Sequence, residues 1–107
     1  MFTRIVEIRT KTGKARDFNA TLNEKVLPIL KKQSGFVDEI TLVSSTEPDR
    51  ILALSFWDTE EQAERYNREQ FPTVSEIVRP LLETAPKVET FNVDTSTMHK
   101  IATGKAA

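Results

Sequence analysis

Residues 50–57, Arg-Ile-Leu-Ala-Leu-Ser-Phe-Trp, form a β-prone run in which both alternating sets of side chains are greasy. Leu52, Leu54 and Phe56 make one set; Ile51, Ala53, Ser55 and Trp57 make the other. A strand in an antiparallel sheet with one wetted face alternates apolar with polar. Here neither side is left for water. The chain has 107 residues, one domain's worth, with helical stripes enough to cover one sheet face. Each large apolar side chain left in water forfeits roughly 1.5–3 kcal/mol. Leu52, Leu54 and Phe56, joined by Ile40 and Leu42, therefore predict a homodimer packed sheet to sheet. The competing reading is a central strand shielded by the chain's own tail, where Met98 and Ile101 are the only larger apolar residues after Asp94.

The flanking sequence supplies the partners of that strand. Ile5, Val6 and Ile8 mark a first strand over residues 2–9, followed by a turn at Lys11-Thr12-Gly13-Lys14. Ala15, Phe18, Leu22, Val26, Ile29 and Leu30 fall at three-and-four spacing, which predicts an amphipathic helix. Pro28 lacks a backbone donor and should kink it, and Ser34-Gly35 should end it. Phe36–Ser44 reads as a second strand with Phe36, Ile40 and Leu42 on one side, and Thr46-Glu47-Pro48-Asp49 as a turn. Thr59-Glu60-Glu61-Gln62 has the form of a capping box and opens a second helix through about Glu69. Phe71 and Pro72 interrupt it. Val74, Ile77, Val78, Leu81 and Leu82 then give a further apolar helical face, and Lys87–Val93 a last strand. The order β-α-β-β-α-β is that of the ferredoxin-like split unit, an α+β fold with an antiparallel sheet. Residues 1–93 are read as the domain and residues 94–107, rich in Thr, Ser, Lys and Ala, as a polar tail, mobile alone or laid over a partner.

Composition narrows the chemistry. Fifteen basic against sixteen acidic residues give a net charge of −1, which argues against a nucleic-acid partner. The absence of Cys excludes disulfides, thiol nucleophiles and thiolate metal sites. The one His, His99, offers little toward a triad or a metal centre. Gly13, Gly35 and Gly104 are isolated and build no phosphate cradle. No apolar run approaches the ~20 residues that span a bilayer, and Arg4 and Glu7 interrupt the N-terminal segment where a signal sequence needs an apolar core. The expectation is a cytoplasmic protein without a membrane or nucleic-acid partner.

The helix ending Val26-Leu27-Pro28-Ile29-Leu30 before Ser34-Gly35-Phe36, and the Pro48-Asp49 turn, are family-like features. So are Ser55-Phe56-Trp57-Asp58, Glu61-Gln62-Ala63, Phe71, Arg79-Pro80-Leu81-Leu82 and Pro86-Lys87-Val88. In this order the chain resembles the antibiotic biosynthesis monooxygenase family, whose members dimerise into an α+β barrel. The resemblance implies a pocket between helices and sheet in each protomer, with Trp57 at the pocket and Leu52, Leu54 and Phe56 in the dimer core. It also implies oxidation of a small phenolic or quinol-like substrate by O2 with no cofactor and no metal, the substrate itself being the electron donor.

Candidate site residues follow from the resemblance, each beside a plainer reading. Trp57 and Phe71 would form an aromatic wall for the substrate, or simply core. Tyr66 and Asn67 would hydrogen-bond the reacting oxygen, or sit at a surface edge and in solvent. Arg79 would hold developing negative charge, or pair with Glu76 or Glu83. Glu7 would act as a base if buried, since desolvation raises a carboxyl's pKa, or be an exposed edge carboxylate. The heme-degrading branch carries a helix His where Ser75 stands and an Asn where Val6 stands, so heme degradation is not expected. The polyketide-oxidising branch has an Asn shortly before its Trp, and Ile51–Phe56 contains none. A non-catalytic small-molecule-binding homodimer of the same fold, and a purely structural dimerisation domain, are the alternatives.

Overall fold

The computed structural model describes residues 1–101. Its elements are β1 (Phe2–Arg9), α1 (Ala15–Thr21), a π-helical turn (Leu22–Val26), α2 (Leu27–Lys31), β2 (Phe36–Val43) and β3 (Arg50–Trp57). Then come α3 (Glu60–Glu69), α4 (Phe71–Val78), a 3-10 turn (Arg79–Leu81) and β4 (Lys87–Asn92). The strands form one antiparallel sheet in the order β2-β3-β1-β4, with the helices over one face. This is the expected α+β, ferredoxin-like arrangement.

Local chemistry explains the boundaries. Lys14 is joined to Lys11 through a turn in which Gly13 takes φ +78°. Gly35 takes φ +83°, and a Cβ there would also run into the Gln62 side chain; both favour glycine. One arm of the capping box forms, Gln62 N donating to Thr59 Oγ1 at 3.2 Å; the Gln62 side chain accepts from the Thr59 hydroxyl at 3.1 Å in place of the backbone N–H. Before Pro28 the first helix widens into the π turn of Leu22–Val26. Proline cannot donate to the carbonyl four residues back, and a π-bulge is one way for a helix to absorb that loss. The apolar stripe survives the bulge, with Phe18, Leu22, Val26 and Leu30 all buried.

In β1 the residues facing the helices are Phe2, Arg4, Val6 and Ile8; in β3 they are Ile51, Ala53, Ser55 and Trp57. Phe18, Leu22, Val26, Ala63, Tyr66, Val74 and Val78 meet them in the core. Leu52, Leu54 and Phe56 point the other way and stay half-buried, as the double-sided pattern of β3 requires. One expectation fails. Phe36 does not share a side with Ile40 and Leu42. The register runs Phe36↔Trp57 and then Asp38↔Phe56, so Val37 is the extra residue of a β-bulge. A bulge reverses the alternation of everything beyond it. Phe36 therefore packs edge-on against Trp57, centroids 5.6 Å apart, while Ile40 and Leu42 lie on the outer face.

Residues 94–101 return along that outer face of their own sheet. The His99 ring lies 5.9 Å from the Phe56 ring, and its Nε2 is 3.3 Å from Asp38 Oδ2. Met98 is 83% exposed, at the rim of a hollow it shares with Ile40 and Phe56. The remainder of the expected tail, residues 102–107, lies outside the described residues. Among the described residues no helix is long and apolar enough to cross a membrane.

Candidate functional site

Arg4 belongs to the apolar face of β1, between Phe2 and Val6, and is 3% exposed. Its guanidinium lies over two aromatic rings, with Cζ 5.2 Å from the Tyr66 centroid and 4.6 Å from the Phe71 centroid. One guanidinium nitrogen donates to Asn67 Oδ1 at 2.8 Å. Among the described residues no carboxylate comes within 4.0 Å of it. Burial pulls its pKa down, partly offset by Tyr66, yet a guanidinium remains charged at any ordinary pH.

Beside Arg4 the sheet and helices part to leave a cavity of about 60 Å³, and about 540 Å³ of unfilled space once its mouth is included. Its walls are chiefly aliphatic and aromatic: Val6 and Ile8 from the sheet, Phe18, Leu22 and Val26 from the first helical segment, Phe71 and Val74 from α4. The polar side chains that reach it are Arg4, Glu39, Ser55, Tyr66 and Ser75. Three of these stand in one row across the sheet, because Ser55 pairs with Arg4 on one side and Glu39 on the other. Thr90 of β4 extends the row beyond Arg4. Ser55 itself is committed: Trp57 Nε1 donates to its hydroxyl at 2.9 Å, and Thr3 Oγ1 donates to its carbonyl.

The ionisable members are tuned by burial. Tyr66, 3% exposed, has its pKa pushed up to about 12 by desolvation, against the pull of Arg4. It is thus a neutral hydrogen-bond donor throughout the ordinary pH range. Desolvation also raises the Glu39 carboxyl, opposed by the Thr41 hydroxyl that donates to it at 2.8 Å. A cation, a neutral phenol and a half-buried carboxyl around an apolar hollow can orient a flat molecule and hold charge on one of its oxygens. Low dielectric makes such interactions stronger than in water.

The structure brings together some of the residues named from the sequence and separates others. Tyr66 and Phe71 line the cavity. Trp57 stands behind them, fully buried, its ring 5.1 Å from Tyr66; it supports the wall rather than forming it. Asn67 is exposed, and its reach into the site is the hydrogen bond it accepts from Arg4. Arg79 lies outside the cavity on the 3-10 turn, its side chain 71% exposed and paired with Glu76. Glu7 faces the opposite side of the sheet, where Arg50 donates to it at 2.9 Å and lowers its pKa.

Sequence reasoning missed Arg4 and Glu39. Arg4 had a signal: Phe2, Val6 and Ile8 are an alternating apolar set, and position 4 interrupts it. Glu39 had none, because the bulge at Val37 turns it toward the helices. Among the described residues no group of three or more His, Asp or Glu side chains is placed to hold a metal ion.

A family model described as antibiotic biosynthesis monooxygenase matches residues 1–71. Solved structures share the fold. An antibiotic biosynthesis monooxygenase candidate from Bordetella bronchiseptica superimposes with a TM-score of 0.76 at 18% identity, covering 88% of this chain and 97% of that one. SnoaB, a cofactor-independent oxygenase from Streptomyces nogalater solved as a mutant, gives 0.76 at 15% identity over 92% and 97%. A Streptomyces coelicolor monooxygenase in complex with the ligand nanaomycin D gives 0.76 at 13% identity over 92% of each chain. At these identities the likeness establishes the fold. No curated protein sequence matches the chain.

Proposed function

The chain belongs to the antibiotic biosynthesis monooxygenase family, and on that premise we propose that it is a cytoplasmic, homodimeric, cofactor-independent monooxygenase. Its substrate is a small phenolic or quinol-like aromatic. The observation that carries this reading is the apolar cavity between helices and sheet, walled by Phe71 and Tyr66 and faced by a buried cation. Activated methylene-bearing phenols balance with O2 alone: the methylene carbon becomes a carbonyl, one oxygen atom enters the product and the other leaves as water. The protein's tasks are then to hold the electron-rich anion, exclude water and position a proton donor. Tyr66 supplies the donor at the reacting oxygen. Asn67 acts through Arg4, by fixing its guanidinium.

The dimer is part of the proposal. Leu52, Leu54 and Phe56 with Ile40, Leu42 and Phe91 make an apolar face; the chain's own residues 94–101 reach Phe56 and Ile40 at one end of it, and Leu42 and Phe91 stay exposed. A second sheet laid on it buries the part that residues 94–101 leave open. Oxygen-electrode assays against hydroquinones and anthrone-like compounds test the activity. Uptake above autoxidation that falls at least tenfold in Phe71→Ala is the expected result; no uptake with any member of the panel counts against it. The second reading, a non-catalytic small-molecule-binding homodimer, is favoured by the lack of an Asn between Ile51 and Phe56. A ligand retained through purification and unchanged in air would decide for it.

A further inference from the structure

We propose that the cavity selects a planar aromatic monoanion, its ionised oxygen against Arg4 and a neutral hydroxyl toward Glu39. This rests on the reading of the cavity as the substrate site and adds the charge pattern of what enters it.

The charge around Arg4 is unbalanced. Arg4 is 3% exposed, has a neutral amide as its side-chain hydrogen-bond partner, and has no carboxylate within 4.0 Å among the described residues. The faces of Tyr66 and Phe71 compensate the charge in part. A buried cation without a counter-ion is a costly arrangement. An anion entering the cavity supplies the missing charge, whereas a neutral isostere leaves the imbalance in place. Ionised carboxylates and phenolates share the needed chemistry, a flat oxygen acceptor for the guanidinium fork.

Glu39 sets the other end. It stands in the same cross-strand row, two strands from Arg4, so their backbones are about 10 Å apart. One of its carboxylate oxygens accepts from Thr41, and the other has no hydrogen-bond partner among the described residues. That oxygen accepts from a hydroxyl and repels a second anionic group. Between the two lie aromatic and aliphatic walls suited to a ring. The site therefore admits one negative charge at one end and rejects it at the other.

Binding is read under anaerobic conditions, by calorimetry and by the fluorescence of Trp57, the one Trp of the chain, whose ring lies 5.1 Å from that of Tyr66. The probes are 4-hydroxybenzoate, its neutral methyl ester, terephthalate as a dianion, and 4-nitrophenol, whose visible band reports its own ionisation. 4-Hydroxybenzoate is expected to bind at least tenfold more tightly than the ester. Arg4→Gln removes that preference and Arg4→Lys keeps much of it. Glu39→Gln leaves the preference but raises terephthalate binding at least tenfold. A lowered pKa of bound 4-nitrophenol identifies phenolate as an accepted source of the charge; a preference confined to 4-hydroxybenzoate identifies carboxylate.

Equal binding of acid and ester overturns the proposal, and so does an anion preference that survives in Arg4→Gln. Absence of binding by all four probes overturns it too. If Arg4→Gln does not fold, the wild-type comparison of acid with ester still decides. Arg4-dependent anion binding without oxygen uptake sinks the oxygenase reading and leaves this one. Turnover of neutral quinols without charge preference does the reverse.

Discussion

On the helix side of the sheet Phe2, Val6, Ile8, Ile51 and Trp57 are buried, while on the far side Ile40, Leu42 and Phe91 stand 41%, 46% and 49% exposed. Both faces are apolar, yet they are built differently. The helix side carries a row of polar residues, Glu39, Ser55 and Arg4, with Thr41 beside Glu39, placed where the packing leaves a hollow. The far side pairs Glu7 with Arg50, sets Asp38 beside His99, carries Lys87 and Glu89 on β4, and gathers its apolar residues over β2 and β3. A face that admits a guest needs a few convergent polar groups in an apolar wall. A face that meets a copy of itself needs area and no unpaired charge at its centre.

The largest expected effect comes from breaking the far face. Leu54→Arg places a charge at its middle on both subunits of the proposed dimer, where an uncompensated buried charge costs about 3–5 kcal/mol. Sedimentation should find a monomer where the wild type is a dimer. A wild-type monomer at micromolar concentration would remove the contrast between the faces. Trp57→Ala probes the helix side as packing: deleting the buried ring should lower stability by about 3–5 kcal/mol in chemical denaturation. A loss near zero would mean that Trp57 is not core.

Tyr66→Phe separates packing from chemistry on the same face. The Tyr66 hydroxyl has no hydrogen-bond partner among the described residues, so its removal should change stability by less than about 1 kcal/mol. Turnover should fall about a hundredfold if the hydroxyl donates to the reacting oxygen. Its pKa also has a stability signature. The folded value, raised to about 12, lies above the ordinary 10, so the contribution is fully present below pH 10 and is lost as pH rises toward 12. Unfolding curves across that window should show wild type losing on the order of 2 kcal/mol more than Tyr66→Phe. The smallest effect belongs to Arg79→Ala. An exposed pair of this kind is worth about 0–1 kcal/mol, and turnover should stay within about twofold of wild type. A tenfold loss would return Arg79 to the site.

Much of the fold was legible because it repeats. The double-sided pattern of β3, the stripe from Ala15 to Leu30 and the Thr59–Gln62 box each state their element several times over, and all formed. The site was less legible because it consists of exceptions. Tyr66 and Asn67 are neighbours on one helix, about 100° apart around it, so both could not turn inward; Tyr66 did, and Asn67 enters through Arg4. Arg79 looked suitable by charge, but the chain leaves the helix there and the side chain finds Glu76 in solvent.

The amino-acid order determined which segments became strands and helices, and that one strand would be greasy on both sides, because these follow from local backbone preference and periodic burial; the helix read through Leu82 ends at Val78, and Leu82 bridges Thr10 instead. Tertiary packing decided which polar residues share a space. A single extra residue at Val37 put Glu39 and Phe36 on the helix side, and strand pairing set Glu39, Ser55 and Arg4 in one row. Such a meeting depends on register between strands far apart in the chain, and no local pattern encodes it.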